Sequence, residues 1–255
     1  MILTSEGEDL VKFLVLTQAR TGSNMLVSML DSHPNIKCYG EVFNPSSSFG
    51  YVNWQRNSYL RRIANKYIRD YNVEKYIYSL LSVGPKDNTQ AVGFKVIYPG
   101  QFDRWPNLRY YCRENNFKII SLIRQNLIRK YVSSRIANYE GAWSAREHRN
   151  KRVSIKVDLS DLSRFIDRME TIYHIIDTLS VEFRGIKISY EELSSNRDSV
   201  MTEVFQYLGI KEFEIEALKA KTAKQNPERL DQIIENYDEV CSFLRNTRYE
   251  WCLEE

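Results

Sequence analysis

The chain has 255 residues, of which 43% are hydrophobic and 27% are charged, and its net charge is +3. This length and hydrophobic share suffice for the core of one large domain, and the small charge gives no argument for nucleic-acid binding. Four scattered cysteines and three histidines argue against a disulfide framework and against a bound metal.

The first residues, MILTSEGEDLVKF, are acidic and lack the apolar centre of a signal peptide. No stretch of the chain approaches 18 apolar residues, the length that a membrane span needs. We therefore expect a cytoplasmic protein with no membrane span. The sequence leaves the oligomeric state open, a homodimer included.

Short apolar runs alternate with helical patterns along the chain. The runs lack clean alternation, as is typical of buried parallel strands, and they are Phe13–Leu16, Ile36–Tyr39, Val92–Ile97, Lys118–Ile123 and Ile186–Tyr190. The helical patterns are Ser23–Leu30, Asn57–Leu81, Leu127–Asn138, Leu162–Leu179, Arg197–Leu208 and Pro227–Arg245. Ser160 is the predicted N-cap of the fourth of these helices, and Gly209 the predicted end of the fifth. The order predicts an α/β fold in which helices cover both faces of a mostly parallel central sheet, formed by one domain over residues 1–255.

The loop after the first strand has the composition of an anion site. It contains one glycine, one arginine and several hydroxyls, and a helix follows at once. Free N–H groups and about half a positive charge from the dipole meet at such a helix N-terminus. The loop is shorter than G-x-x-x-x-G-K-[ST], has Arg20 as its cation, and no carboxylate ends the fourth strand. The loop therefore suits one phosphate-like group without Mg²⁺, on a P-loop-like scaffold.

The sequence TQARTGSN of this loop resembles the 5′-phosphosulfate-binding loop of sulfotransferases, especially the bacterial carbohydrate and nodulation-factor enzymes. These enzymes use 3′-phosphoadenosine 5′-phosphosulfate (PAPS) as co-substrate and no metal. The resemblance implies that Arg20, Thr21, Gly22, Ser23 and Asn24 hold the phosphosulfate. The alternative is a polar turn in which Arg20 forms a surface salt bridge.

The resemblance continues in HPNIKCYGEVFNP, where Gly-Glu follows the second strand. It implies that Glu41 is the general base that takes the proton of the acceptor hydroxyl during attack on sulfur. The alternative is that Glu41 pairs with an arginine. A Ser-rich segment near 44–59, with Tyr51 and Trp54, is predicted as an insertion that forms either an acceptor-binding wall or a surface loop.

Lys95 lies within the apolar run GFKVIYPG, where an unpaired lysine would be costly. The resemblance implies that Lys95 stabilises the negative charge of the leaving phosphate oxygen. The alternative is an edge strand from which Lys95 extends into water.

The segment LIRQNLIRKYVSSRIAN joins the fourth strand to a basic helix. The resemblance implies that Arg124 and Ser133, nine residues apart, hold the 3′-phosphate of the donor, with Ser134 as a substitute for Ser133. A planar cation and a short hydroxyl suit a phosphate dianion. The alternative is a solvated basic helix face.

Three later segments carry weaker signals. Near 138–152 a second insertion, with Trp143, is predicted on the acceptor side. Tyr190 and Glu191 are interpreted as structural residues at the end of the last strand. Lys224, beside Gln225, is a candidate nucleotide contact by resemblance, and a solvated lysine is its alternative.

The resemblance implies a sulfotransferase that moves a sulfuryl group from PAPS to a hydroxyl of a small-molecule or carbohydrate acceptor, with a carbohydrate or glycolipid favoured. Two other functions remain open. One is a P-loop-like nucleotide or small-molecule kinase, and the other is a nucleotide-binding protein without catalysis.

Overall fold

A computed structural model describes residues 10–45, 66–83, 88–140, 153–211 and 229–254. Five strands form one sheet in the order β2-β3-β1-β4-β5, and every pair is parallel. The strands are β1 Val11–Thr17, β2 Ile36–Tyr39, β3 Ala91–Ile97, β4 Lys118–Ile123 and β5 Ile186–Ser189. The sheet confirms the predicted fold class, and all five predicted strands are present.

Helices cover both faces of this sheet. They are α1 Ser23–Ser32, α2 Val73–Val83, α3 Pro106–Glu114, α4 Leu127–Glu140, α5 Leu159–Glu182, α6 Tyr190–Ser195, α7 Arg197–Leu208, α8 Leu230–Ile233 and α9 Tyr237–Leu244. A 3₁₀ turn follows at Glu250–Leu253. None of the helices within the described ranges is long and apolar enough to cross a membrane.

Side chains of β1 alternate between two hydrophobic layers. Phe13 and Val15 pack with α1, α6 and α7 on one face, whereas Leu14 and Leu16 pack with α2 to α5, α8 and α9 on the other. All four are fully buried, and each buried side chain of this size contributes about 1.5–3 kcal/mol. The central strand is thus held from both faces, which fixes the loop at its end.

Several predicted boundaries differ from the structure because tertiary contacts or capping side chains override the helical pattern. The predicted helix Asn57–Leu81 lies partly outside the described residues. From residue 66 onward the segment is helical except for a break at Asn72. The break occurs where Oδ1 of Asn72 accepts a hydrogen bond from the amide of Lys75. The predicted Pro227–Arg245 helix begins outside the described residues, and from residue 229 it is two short helices, because Ile234 leaves the helix to form a parallel bridge with Ile155.

Capping accounts for the remaining differences at helix ends. Asp158, and not Ser160, is the N-cap of α5, since its carboxylate accepts from two first-turn amides. Tyr190 begins α6 and does not end β5, because Ser189 and Glu192 form a capping box there. Gly209 ends α7 with φ 82°, as predicted. α3 was not predicted, since only Leu108 and Cys112 of its side chains are buried.

Candidate active site

The loop between β1 and α1 is locked by hydroxyls at its base. The Thr17 hydroxyl donates to the carbonyl of Leu122 on β4 at 2.8 Å, and it lies 2.6 Å from the Thr21 hydroxyl. Thr21 Oγ1 in turn lies 2.8 Å from the carbonyl of Gln18. Thr21 is fully buried, so its side chain holds the loop together and its backbone N–H is the group that remains for an anion.

The N-terminus of α1 is shaped by two residues with positive φ. Arg20 has φ 64° and Gly22 has φ 77°, and within the described ranges no side chain caps the helix at Gly22. A Cβ on Gly22 would lie 2.3 Å from Cδ2 of Tyr190. Glycine is therefore required at position 22 for two reasons: the positive φ of the backbone, and the Tyr190 ring, which leaves no room for a Cβ. The uncapped N-terminus fits the predicted anion loop.

Lys95 joins the predicted base to this loop. Its Nζ lies 2.8 Å from Oε1 of Glu41, 2.5 Å from Oδ1 of Asn24 and 3.5 Å from Oγ of Ser23. Three predicted site residues, Glu41 just after β2 and Ser23 and Asn24 on α1, thus meet around the Lys95 ammonium group on β3. The arrangement brings a carboxylate and a cation to the edge where the strands end, which is where ligands bind in parallel sheets.

The alternative considered for Lys95 is wrong, because β3 lies between β2 and β1 and is not an edge strand, and Lys95 is only 3% exposed. Among the described residues, the ionic partner of Glu41 is this lysine and none is an arginine. The cost of burying the lysine is offset by the ion pair and by the bond to Asn24.

Two amides that the sequence analysis missed hold the other oxygen of Glu41. Oε2 accepts from Nδ2 of Asn44 at 3.0 Å and from Nε2 of Gln101 at 3.3 Å. Gln101 is buried, and its own Oε1 accepts from the amide of Ile97 at the end of β3 at 3.0 Å. No local pattern marks Gln101, because its role depends on a contact with a residue 60 positions away.

Arg20, Arg124 and Ser133 also come together, on the opposite side of the loop. Arg20 Nε donates to Oγ of Ser133 at 2.9 Å, and Arg124 Nη1 donates to the carbonyl of Arg20 at 3.3 Å. The Arg124 guanidinium lies 4.7 Å from the centroid of the Tyr190 ring, and among the described residues its buried Nε has no hydrogen-bond partner. Burial lowers the pKa of Arg124, and Tyr190 and Glu191 act in the opposite direction.

The basic helix distinguishes between the two candidate serines. Ser133 is buried beside Arg20, whereas the Ser134 hydroxyl donates to the carbonyl of Lys130 at 2.9 Å within α4. The geometry thus favours Ser133 over its substitute. The alternative of a solvated helix face fails for Ser133 and for Lys130, since both are buried.

The segment after β5 shapes the same site. The Glu191 carboxylate accepts from the amides of Gln125 and Asn126, each at 3.0 Å, so it fixes the turn that follows Arg124. This agrees with a structural interpretation of Glu191. Tyr190 does more than was predicted, because its ring lies close both to Gly22 and to the Arg124 guanidinium.

Some predicted residues lie outside the described ranges. They are Lys224 and Gln225, Tyr51 and Trp54 of the first insertion, and Trp143 of the second. Among the residues that the structure does describe, no group of three or more His, Cys, Asp or Glu side chains is arranged to hold a metal ion.

Similarity to known proteins agrees with this geometry. The chain is 24% identical over 200 residues to nodulation protein H from Rhizobium tropici. The aligned region covers 77% of this chain and 75% of the relative. No protein-family model matches the sequence.

Among solved structures, a sulfotransferase from Alicyclobacillus acidocaldarius matches with a TM-score of 0.52 and 15% identity, over 92% of this chain and 91% of that one. The sulfotransferase domain from the curacin biosynthetic pathway also matches with a TM-score of 0.52, at 16% identity, over 89% of this chain and 84% of that one. At these identities the structural matches establish the fold. The chain thus has the fold of the sulfotransferases that the loop TQARTGSN resembles.

Proposed function

We propose that the protein is a sulfotransferase that transfers the sulfuryl group of PAPS to an acceptor hydroxyl. The observation that carries the proposal is the position of Lys95 Nζ, within 2.8 Å of the Glu41 carboxylate and 2.5 Å of Asn24 at the anion loop. A base, a cation and an anion site thus lie within one hydrogen-bonded group, as in-line transfer of a charged group requires.

The reaction assigned to these residues is a single-step transfer. The acceptor oxygen forms a bond to sulfur while the bond between sulfur and the bridging phosphate oxygen breaks. Glu41 accepts the hydroxyl proton, and the bridging oxygen keeps the electron pair as the bisphosphate product leaves. Lys95 and the N–H groups of Ser23 and Asn24 stabilise the charge that develops on that oxygen.

The donor is proposed to lie across the end of β1. Its 5′-phosphosulfate is held by Thr21, Gly22, Ser23 and Asn24, and its 3′-phosphate by Arg124 and Ser133. Arg20, which the resemblance assigned to the phosphosulfate, is assigned here to the 3′-phosphate as well. The support is that Arg20 contacts both Ser133 and Arg124 while lying in the loop itself. Lys224 is retained as a further candidate contact.

The acceptor is proposed to be a hydroxyl of a carbohydrate or glycolipid. A groove of about 370 Å³ is the candidate acceptor site, and the buried Trp105 on its wall packs against Phe43 at 5.3 Å between ring centroids. Aromatic, carboxylate and amide groups line it, a mixture suited to ring faces and hydroxyls. The polar and aromatic lining residues are Asp70, Tyr71, Asn72, Glu74, Arg104, Trp105 and Asn107.

The proposed site of action is the cytoplasm. All four cysteines are free, and burial raises the pKa of the Cys38 and Cys112 thiols, so these remain protonated. Free thiols are typical of proteins in reducing compartments. A homodimer stays a prediction, which sedimentation velocity would test.

The test of the proposed function is an assay with PAPS and a panel of mono- and oligosaccharides. Release of adenosine 3′,5′-bisphosphate would be measured together with an 80 Da mass increase of the acceptor, the mass of one SO₃ group, without added Mg²⁺. The proposal predicts both signals with at least one sugar. A phosphorylated product formed from ATP and Mg²⁺ would identify the kinase alternative. Nucleotide binding without any turnover of PAPS across sugars and simple alcohols would favour the non-catalytic one.

A further inference from the structure

Helix α4 carries a buried lysine next to the residues of the phosphate site. Lys130 is 2% exposed, and its Nζ lies 3.0 Å from the Tyr173 hydroxyl and 3.1 Å from Sδ of Met169. The charged groups that act on it, Arg124 and Arg168, are both positive. An ammonium group buried among cations costs free energy, so the fold keeps Lys130 at the expense of stability.

The Tyr173 hydroxyl connects Lys130 to the end of β4. It donates to the carbonyl of Arg124 at 2.8 Å and accepts from the amide of Arg124 at 3.3 Å. Because the ammonium of Lys130 donates to the same oxygen, the single hydroxyl proton is directed to the Arg124 carbonyl. The Tyr173 side chain thus fixes both the backbone N–H and the carbonyl of Arg124, and Lys130 sets the direction of the Tyr173 hydroxyl.

Arg124 itself is arranged for an acceptor that the described residues do not supply. Its Nη1 bonds to the carbonyl of Arg20 and its plane lies near the Tyr190 ring, while in the described part of the chain its buried Nε has no partner. A buried donor without an acceptor destabilises the protein. An anionic ligand that accepts from this guanidinium would recover that cost.

We propose that Lys130 and Tyr173 are positioning residues for the 3′-phosphate of the donor. Tyr173 fixes the backbone from which the Arg124 guanidinium extends, and Lys130 orients Tyr173 and adds positive charge behind the guanidinium. The inference rests on the proposed function, since it concerns the phosphate that distinguishes PAPS from simpler nucleotides.

The charge of Lys130 gives this arrangement a dependence on pH. Burial lowers the pKa of Lys130 to about 7, and Arg124 and Arg168 act in the same direction; Tyr173 is the titratable group in contact with it. A bound phosphate dianion favours the ammonium form, so binding takes up a proton above pH 7. Affinity for the bisphosphate is therefore expected to fall from pH 7 to 9, by at most about tenfold per pH unit.

The test compares two nucleotides that differ only in the 3′-phosphate. Calorimetry would give affinities of adenosine 3′,5′-bisphosphate and adenosine 5′-monophosphate for the wild type, Tyr173→Phe and Lys130→Met. Both variants are expected to weaken bisphosphate binding by about tenfold and monophosphate binding by less than about twofold. Lys130→Met is also expected to lose the decline in affinity between pH 7 and 9.

The matched control is Tyr207→Phe, at the other end of β4. The Tyr207 hydroxyl accepts from the amide of Ile119 at 3.1 Å and donates to the carbonyl of Arg184 at 3.2 Å, so it has the same bonding pattern far from the phosphate site. It should leave the ratio of the two affinities unchanged.

The outcomes separate this inference from the proposed function. If the wild type prefers the bisphosphate and Tyr173→Phe and Lys130→Met keep the same preference, the positioning role is overturned and the sulfotransferase proposal stands. If the wild type binds the two nucleotides equally, the proposed 3′-phosphate site fails, and the inference fails with it.

Discussion

At the scale of single residues, both carboxylate oxygens of Glu41 are held by neighbouring side chains. Lys95 contacts one carboxylate oxygen, and Asn44 and Gln101 donate to the other. The side chain is nevertheless 28% exposed, so an acceptor hydroxyl can reach it. A carboxylate that is fixed and still accessible is suited to proton transfer in a defined direction.

Substitution of Glu41 by Gln is expected to lower kcat by about 100-fold or more, because the amide keeps the size of the side chain but cannot accept the proton. The dissociation constant of adenosine 3′,5′-bisphosphate should change little, since Glu41 is not assigned to the nucleotide. Steady-state kinetics and calorimetry on the same preparation check both quantities. An unchanged kcat would remove Glu41 from the role of base.

At the scale of elements, the sequence determined the strands and the anion loop more fully than the helices and the supporting residues. Buried parallel strands are continuous apolar runs, so the sequence predicts them directly; Arg124 follows one such run at once, and Gly22 lies five positions after the end of another. α3 buries few of its side chains, and the role of Gln101 depends on a distant partner. Features set by contacts between distant segments leave no periodic signal in the local sequence.

The turn between β1 and α1 should be intolerant of any side chain at Gly22. Gly22→Ala places a methyl group against the Tyr190 ring at φ 77°, and we expect a loss of about 2–3 kcal/mol of stability and weaker bisphosphate binding. Gly209→Ala is the control, because Gly209 has φ 82° with nothing within 4 Å of the added Cβ. That variant should cost only about 1–2 kcal/mol and leave binding unchanged.

Denaturant unfolding and calorimetry measure the two effects. Equal losses of stability in the two variants, with normal binding by Gly22→Ala, would show that the packing of Tyr190 against the loop is unimportant.

At the scale of the whole molecule, strand order separates the two parts of the proposed site. The central strand β1 carries the loop, β2 and β3 on one side supply Glu41 and Lys95, and β4 and β5 on the other supply Arg124 and Tyr190. All five strands are parallel, so their carboxyl ends meet at one edge. In the proposed complex, this edge of the sheet spans the donor from its reacting sulfur to its 3′-phosphate.

Binding across the whole sheet edge should stabilise the fold. At 100 times its dissociation constant, adenosine 3′,5′-bisphosphate is expected to add about 2.7 kcal/mol of stability and raise Tm by roughly 5 °C, without Mg²⁺. ATP with Mg²⁺ at the same concentration should give a smaller shift in thermal unfolding. A larger shift with ATP and Mg²⁺ would favour the kinase alternative.

The central claim is that this sheet edge binds the PAPS nucleotide through Arg124. The most direct measurement is calorimetric titration of adenosine 3′,5′-bisphosphate, without Mg²⁺, into the wild type and Arg124→Ala. We predict binding with a dissociation constant on the order of micromolar in the wild type and loss of most of that affinity in the variant. Absence of binding to the wild type, or equal binding by both proteins, would contradict the account.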